Sequence, residues 1–244
     1  MLLILMYHRV YGISRMPAAL TAHLYHLIKY YPIVLPGEQL DSTKLSICLT
    51  FDDATVDFYH CVFPLLQKLS CPALLAIPTA WLTDRTDVPM EQRLAAQNVA
   101  AQQHSAHNTP EALCTWEEVR TMQASGYVHI AAHGHQHLDM RASTTDIIQE
   151  LVISRTTLQQ QLGQTPTTFV YPYGHTNMDV HTQVKQYYTY AMRIGSACNA
   201  GWSGNNGLLY RVDAEKFWPN GHGWSLTDII QWRIKYTVNR LRNK

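Results

Sequence analysis

Two hydrophobic periods share this chain. Short runs of consecutive apolar residues at 1–6, 73–78, 128–132 and 168–171 have the length of buried strands, whereas 58–69, 116–125 and 145–162 repeat apolar residues every three to four positions, as amphipathic helices do. Strands alternating with helices predict an α/β fold of parallel strands joined by crossover helices. A polar, Gln- and Ala-rich stretch between Asp84 and Pro110 has weak apolar periodicity and reads as a surface helix or loop, in a place that would also suit a lid. Residues 226–244 mix Ile229, Ile230, Trp232, Ile234 and Val238 with Arg233, Lys235, Arg240, Arg242 and Lys244, at spacings compatible with an amphipathic helix.

Composition narrows the class. A length of 244 residues suits one domain spanning the whole chain. The net charge of +1 and the absence of a dense Lys/Arg run argue against a nucleic-acid partner, whose phosphates need many cationic contacts. Five scattered cysteines, Cys48, Cys61, Cys71, Cys114 and Cys198, lack paired short spacings and suit reduced thiols. The apolar run at 1–6 is too short for a secretory leader and has no basic residues before it; nothing approaches the length of a transmembrane helix. A cytoplasmic location is the resulting expectation. Peripheral contact with an anionic membrane through the basic, Trp-bearing helix at 226–244 stands beside simple capping of the domain.

The chemistry concentrates in two places. Thr50-Phe51-Asp52-Asp53 ends an apolar strand, and about eighty residues further on comes His133-Gly134-His135-Gln136-His137, directly after the strand at 128–132. Taken singly, an Asp-Asp pair is also a common turn or helix cap, and three histidines in five residues also occur in solvated loops. Taken together, one carboxylate and two imidazoles four residues apart match a divalent ion such as zinc with an open coordination position, and leave a second carboxylate to move a proton. His8, in Leu3-Ile4-Leu5-Met6-Tyr7-His8-Arg9-Val10, is by its own residues either a structural histidine at a strand end or a catalyst.

These segments resemble the polysaccharide deacetylase family, also called the NodB-homology group or carbohydrate esterase family 4. Leu49-Thr50-Phe51-Asp52-Asp53 is similar to its first motif, with Asp52 in the general-base position and Asp53 in a metal-ligand position; His133 and His137 fall on the paired ligands of the second. Phe169-Val170-Tyr171-Pro172-Tyr173-Gly174 resembles the third, which walls the substrate groove with Tyr171, Pro172 and Tyr173 and offers the Tyr173 backbone amide to the oxyanion. Val62-Phe63-Pro64-Leu65-Leu66 and Thr115-Trp116-Glu117-Glu118-Val119 resemble helices between these motifs, so the likeness covers roughly residues 1–215. The opening strand resembles the subgroup related to poly-N-acetylglucosamine deacetylases, in which His8 would be the general acid. His222, in a Gly-rich segment, is not a convincing alternative. The resemblance implies a distorted, incomplete (β/α) barrel, with active residues at the C-terminal strand ends. It also implies a divalent metal, zinc by default with cobalt, nickel or iron accepted by similar donors, and an N-acetylated glycan substrate, free or lipid-linked.

Departures from the family pattern set further expectations. Ala54 replaces the usual glycine and would be strained if that position needs positive φ. Gly134 replaces a serine or threonine, so His133 should be less firmly oriented. Val170 replaces an arginine, so Asp52 should lack a charge partner. The fourth, aspartate-bearing motif is not recognisable, which leaves His8 without an identified orienting group. Two other readings stay open: a metal-dependent hydrolase of a non-sugar amide or ester, for which walls from Tyr171, Tyr173 or Trp202 are the discriminator, and a non-catalytic glycan-binding relative.

Overall fold

The structure, a computed structural model, describes residues 1–8, 10, 16–102, 109–217 and 224–241. Seven strands, β1 (Leu2–Tyr7), β2 (Ser46–Asp52), β3 (Ala73–Ile77), β4 (Val128–Ala132), β5 (Thr168–Val170), β6 (Tyr190–Ile194) and β7 (Leu208–Asp213), pair in chain order, and β7 returns to β1 to close a barrel. Every pairing is parallel, from Leu2↔Ser46 through Tyr7↔Phe51 between β1 and β2 to Ile4↔Arg211 through Met6↔Asp213 between β1 and β7. Around it lie α1 (Met16–Tyr30), α2 (Phe63–Leu69), α3 (Met90–Gln102), α4 (Trp116–Ala124), α5 (Ile147–Leu162), α6 (Met178–Tyr187) and α7 (Leu226–Leu241). A full barrel has eight strands, each followed by a helix. Here there are seven, the 195–207 link between β6 and β7 carries no helix, and β4 touches β5 at the single pair Ala132↔Phe169. The expected distorted, incomplete barrel is the architecture observed.

Successive strand residues point to opposite faces, and the core divides accordingly. Leu2 and Ile4 of β1, Cys48 of β2, Leu74 and Ala76 of β3, Val170 of β5, Met192 of β6 and Leu209 of β7 form an inner cluster; Leu3, Leu5, Tyr7, Phe51, Leu75, Phe169 and Tyr210 join the larger layer beneath the helices. This alternation decides which residues reach the barrel mouth. Continuing the inward set leads to His8 just after β1, Asp52 on β2, His133 after β4 and Arg211 on β7.

Local signals hold the helices in place. Thr115 and Glu118 form a reciprocal capping box at the start of α4, Asp146 caps α5, which ends at the left-handed Gly163 (φ 69°), and Asn177 caps α6. The helix expected over 58–69 begins as a wide turn at Phe58–Val62 and continues as α2. The stretch between Asp84 and Pro110 forms α3, with residues 103–108 outside the described set. It is less of a surface element than its composition suggests. Arg93, Leu94 and Gln97 are buried, Arg93 pairs with Glu118 at 2.6 Å, and Gln97 accepts from the Asp57 N–H. On α7 the side chain of Trp232 is buried, whereas Leu226, Ile230, Ile234 and Leu241 face outward. Among the described residues no helix is long and apolar enough to cross a membrane.

Candidate active site

At the C-terminal mouth of the barrel a cleft of about 110 Å³ brings together His8, Asp52, Asp53, His133, His137, Tyr173 and Arg211. Asp52 is the last residue of β2. Asp53 (φ 74°) and Ala54 (φ 53°) then both take left-handed backbone, and both carboxylates come to face His133 Nε2, at 4.0 Å from Asp52 and 3.6 Å from Asp53. The conformation that would strain Ala54 is therefore present, at a cost on the order of 1 kcal/mol. It is held in place by the 2.7 Å bond from the Cys114 N–H to the Ala54 carbonyl.

His133 follows β4 and His137 sits at another left-handed position (φ 59°). The His133 Nδ1–H donates to the Val170 carbonyl at 2.7 Å, which fixes the ring and leaves its Nε2 lone pair directed into the cleft. The orientation lost with the missing hydroxyl at Gly134 is thus supplied from β5. His133 Nε2 and His137 Nε2 lie 3.2 Å apart, and Asp53 Oδ1 is 3.6 Å from each. That oxygen is buried without a hydrogen-bond partner. Tetrahedral zinc with bonds of about 2.0–2.1 Å keeps its ligand atoms roughly 3.3 Å apart, so the donor set and its spacing fit such an ion.

Asp52 does not lack a charge partner. Arg211 reaches from β7 to hold both its oxygens, Nη1 to Oδ1 at 2.7 Å and Nη2 to Oδ2 at 2.8 Å, with Thr50 Oγ1 at 3.2 Å from Nη1. The expectation drawn from Val170 is corrected: the guanidinium comes from another strand. Burial alone would raise the Asp52 pKa, but Arg211, with His133 and His8 beside it, holds the carboxyl well below the usual carboxylate range.

His8 has an orienting group as well. Glu215, in the turn after β7, accepts from the His8 N–H at 2.7 Å and lies 3.4 Å from its Nδ1, while Nε2 faces Asp52 Oδ2 at 3.8 Å. Burial pushes the imidazole down, but the Glu215 hydrogen bond and the carboxylates of Asp52, Asp53 and Glu215 lift its pKa to about 9.

The residues expected to wall the groove differ in how they present themselves. Tyr173 is 51% exposed, on left-handed backbone (φ 58°), with its ring 4.7 Å from that of His137. Tyr171 also lines the cleft, but its side chain is fully buried, with the hydroxyl bonded to His181 Nδ1 at 2.8 Å, and Pro172 is buried too. Strand alternation explains this, because Val170 points inward and its neighbour must point into the helix layer. Trp202 packs on Tyr190, the first residue of β6, at the opposite end of the barrel. Trp81, which pattern reading passed over, instead flanks His137 with ring centroids 4.8 Å apart. His222 lies outside the described residues.

A family profile described as polysaccharide deacetylase matches residues 39–192. The chain belongs to the polysaccharide deacetylase family. Poly-beta-1,6-N-acetyl-D-glucosamine N-deacetylase of Escherichia coli (strain K12) is 24% identical over 160 residues, covering 54% of this chain and 22% of the relative. The O157:H7 protein of the same description is 28% identical over 111 residues, covering 45% and 15%. The chain thus spans about a fifth or less of these curated relatives. Among solved structures, the Streptococcus pyogenes deacetylase PplD in complex with acetate superimposes with a TM-score of 0.68 at 21% identity, covering 95% of this chain and 97% of that one. IcaB from Ammonifex degensii gives 0.67 at 20%, covering 89% and 94%. At such identity these likenesses speak for the shared deacetylase fold.

Proposed function

We propose that this polysaccharide deacetylase family member is a metal-dependent hydrolase that removes N-acetyl groups from an N-acetylated amino sugar in a poly- or oligosaccharide or glycolipid. The observation that carries the reading is the Asp53, His133 and His137 cluster, with Asp52 and His8 facing each other beside it. Asp53, His133 and His137 would hold a divalent ion, zinc by default and cobalt, nickel or iron as substitutes. Such an ion supplies Lewis acidity and lowers the pKa of bound water towards about 7.

The remaining steps belong to the chain itself. Asp52, kept ionised by Arg211, accepts a proton from the attacking water at Oδ2. The Tyr173 N–H, at the cleft, donates to the oxyanion that forms on the acetyl oxygen. His8 Nε2 delivers a proton to the departing nitrogen as the C–N bond breaks. Water is thereby added across the amide, giving acetate and a free amine. Tyr173, exposed beside the cleft, offers an aromatic surface for a sugar ring, which supports a glycan over a compact non-sugar amide.

The outward stripe of α7, with Arg233 and Arg240 beside it, supports peripheral contact with an anionic membrane and hence a lipid-linked substrate; absence of sedimentation with anionic liposomes would sink that reading. Five free cysteines, four of them buried, support a reducing compartment such as the cytoplasm.

The deciding experiment is acetate release from N-acetylglucosamine oligomers by protein stripped of metal and resupplied with zinc or cobalt. Metal-dependent release that Asp52→Asn abolishes is the expected result. No release despite bound zinc would overturn the reading.

A further inference from the structure

The five residues from His133 to His137 carry both histidines of the proposed metal site, and one buried carboxylate grips the backbone between them. Glu150, in the first turn of α5, is 3% exposed. Its Oε2 accepts the His135 N–H at 2.9 Å and the Gln136 N–H at 3.1 Å, and its Oε1 lies 3.0 Å from the same Gln136 nitrogen. Among the described residues it makes no salt bridge, and the loop N–H groups meet its carboxylate. Gly134 is the other half of the fit. It lies at φ 78°, and a Cβ there would stand 2.6 Å from Glu150 Oε2, closer than real atoms approach.

A glycine at 134 therefore does two things. It takes the left-handed turn without strain, and it leaves the space into which the carboxylate inserts. Because the bonds land on residues 135 and 136, the grip falls midway between the two histidines and sets how far apart their rings are presented. Charge-assisted hydrogen bonds from a buried carboxylate to backbone N–H groups are among the stronger ones a loop can have.

We propose that Glu150, inserted against Gly134, is a positioning residue for the metal site: it holds the 134–136 backbone so that His133 and His137 converge on one ion. This deepens the metal-dependent reading and rests on it. Loss of such an outer support typically costs 10–100-fold in metal affinity.

The test uses the full chain, zinc as the probe, competition with a chromophoric chelator for affinity and hydrogen exchange for the loop. Glu150→Ala, confirmed folded by its near-ultraviolet circular dichroism, is expected to bind zinc roughly 10–100-fold more weakly and to exchange the amides of His135 and Gln136 faster. Glu150→Gln, which keeps the volume and one acceptor, should fall between it and the native protein. If Glu150→Ala fails to fold, Gly134→Ala gives a second route, since its methyl displaces the carboxylate without removing it. That methyl should weaken zinc binding in the native background and do much less beside Glu150→Asp, whose shorter side chain leaves the space beside residue 134 open. Native zinc affinity in folded Glu150→Ala, or equal effects of Gly134→Ala in both backgrounds, would overturn the proposal alone. Failure of the unaltered chain to bind zinc would overturn the metal-dependent reading and this inference with it.

Discussion

Arg211 and Asp52 meet inside the barrel in a two-pronged ion pair, with Nη1 2.7 Å from Oδ1, Nη2 2.8 Å from Oδ2 and neither side chain more than 2% exposed. They come from β7 and β2, the two strands that flank β1. A planar guanidinium facing a carboxylate fixes the rotamer as well as the charge. The pair thus keeps the proposed base ionised and aimed, at the cost of some basicity.

Removing the arginine leaves a buried charge unanswered. Arg211→Met should lower stability at neutral pH by about 3–5 kcal/mol, because breaking a buried pair from one side strands the other charge. The double variant with Asp52→Asn should recover much of that loss. Since the pair holds the Asp52 pKa down, its contribution is present above the ordinary carboxylate value of about 4 and disappears as the pH falls through the folded-state value, so the two proteins should converge in acid. Urea unfolding of the four members of the cycle measures the coupling. Strictly additive losses would show that the pair is not coupled.

Asp52 and Asp53 are neighbours assigned different work. Asp52→Asn should bind zinc like the native protein while losing turnover, and His133→Ala should lose both, since His133 Nε2 lies 3.6 Å from Asp53 Oδ1 within the proposed ligand set. Equal loss of zinc in the two variants, read by equilibrium dialysis, would refute this division of labour.

How much of this was legible in the chain depended on distance along it. The strands at 73–78 and 128–132 and the helices at 116–125 and 145–162 announced themselves by period and caps and appear within a few residues of the expected bounds. Asp52-Asp53 and the two histidines were visible because each motif is local. Arg211 was not, being 159 residues from its partner in sequence and in a strand, Leu208–Asp213, that the coarse pattern did not pick out. An arginine within the run Leu-Leu-Tyr-Arg-Val is nonetheless a signal, since burying it demands a partner. Glu215 offered less, an ordinary acid in a short turn whose role depends on how the barrel closes against β1. Tyr171 lines the cleft, but its burial and its bond to His181 depend on strand alternation and on α6, which the local motif does not encode.

His8 supplies a pH test. Its pKa is raised from an ordinary value near 6.5 to about 9, so the stabilisation from its carboxylate neighbours is fully present below the ordinary value and is lost as the pH rises through the folded one. As the proposed proton donor to the leaving amine, His8 must be charged to act, and activity should fall on an alkaline limb at or below about 9, lower when a cation at Asp53 cancels part of the local negative charge. Glu215→Gln removes the charged hydrogen-bond partner that raises it most and should move that limb to lower pH with the fold intact. A pH–rate profile for kcat/KM reads the shift, and an unmoved limb would remove Glu215 from this role.

In the proposed mechanism the backbone and the ring of Tyr173 meet different parts of the substrate, so substitution can separate them. Tyr173→Ala keeps the N–H proposed for the oxyanion but removes a half-exposed aromatic surface beside the cleft. An aromatic contact of about 0.5–1.5 kcal/mol predicts roughly a three- to tenfold rise in KM for N-acetylated oligomers with kcat little changed. The ring also leans edge-on against His137 at 4.7 Å, so zinc affinity must be measured in the same variant to exclude a displaced histidine. A large fall in kcat at unchanged KM and unchanged zinc affinity would mean that the ring acts in the transition state and is not a platform for the sugar.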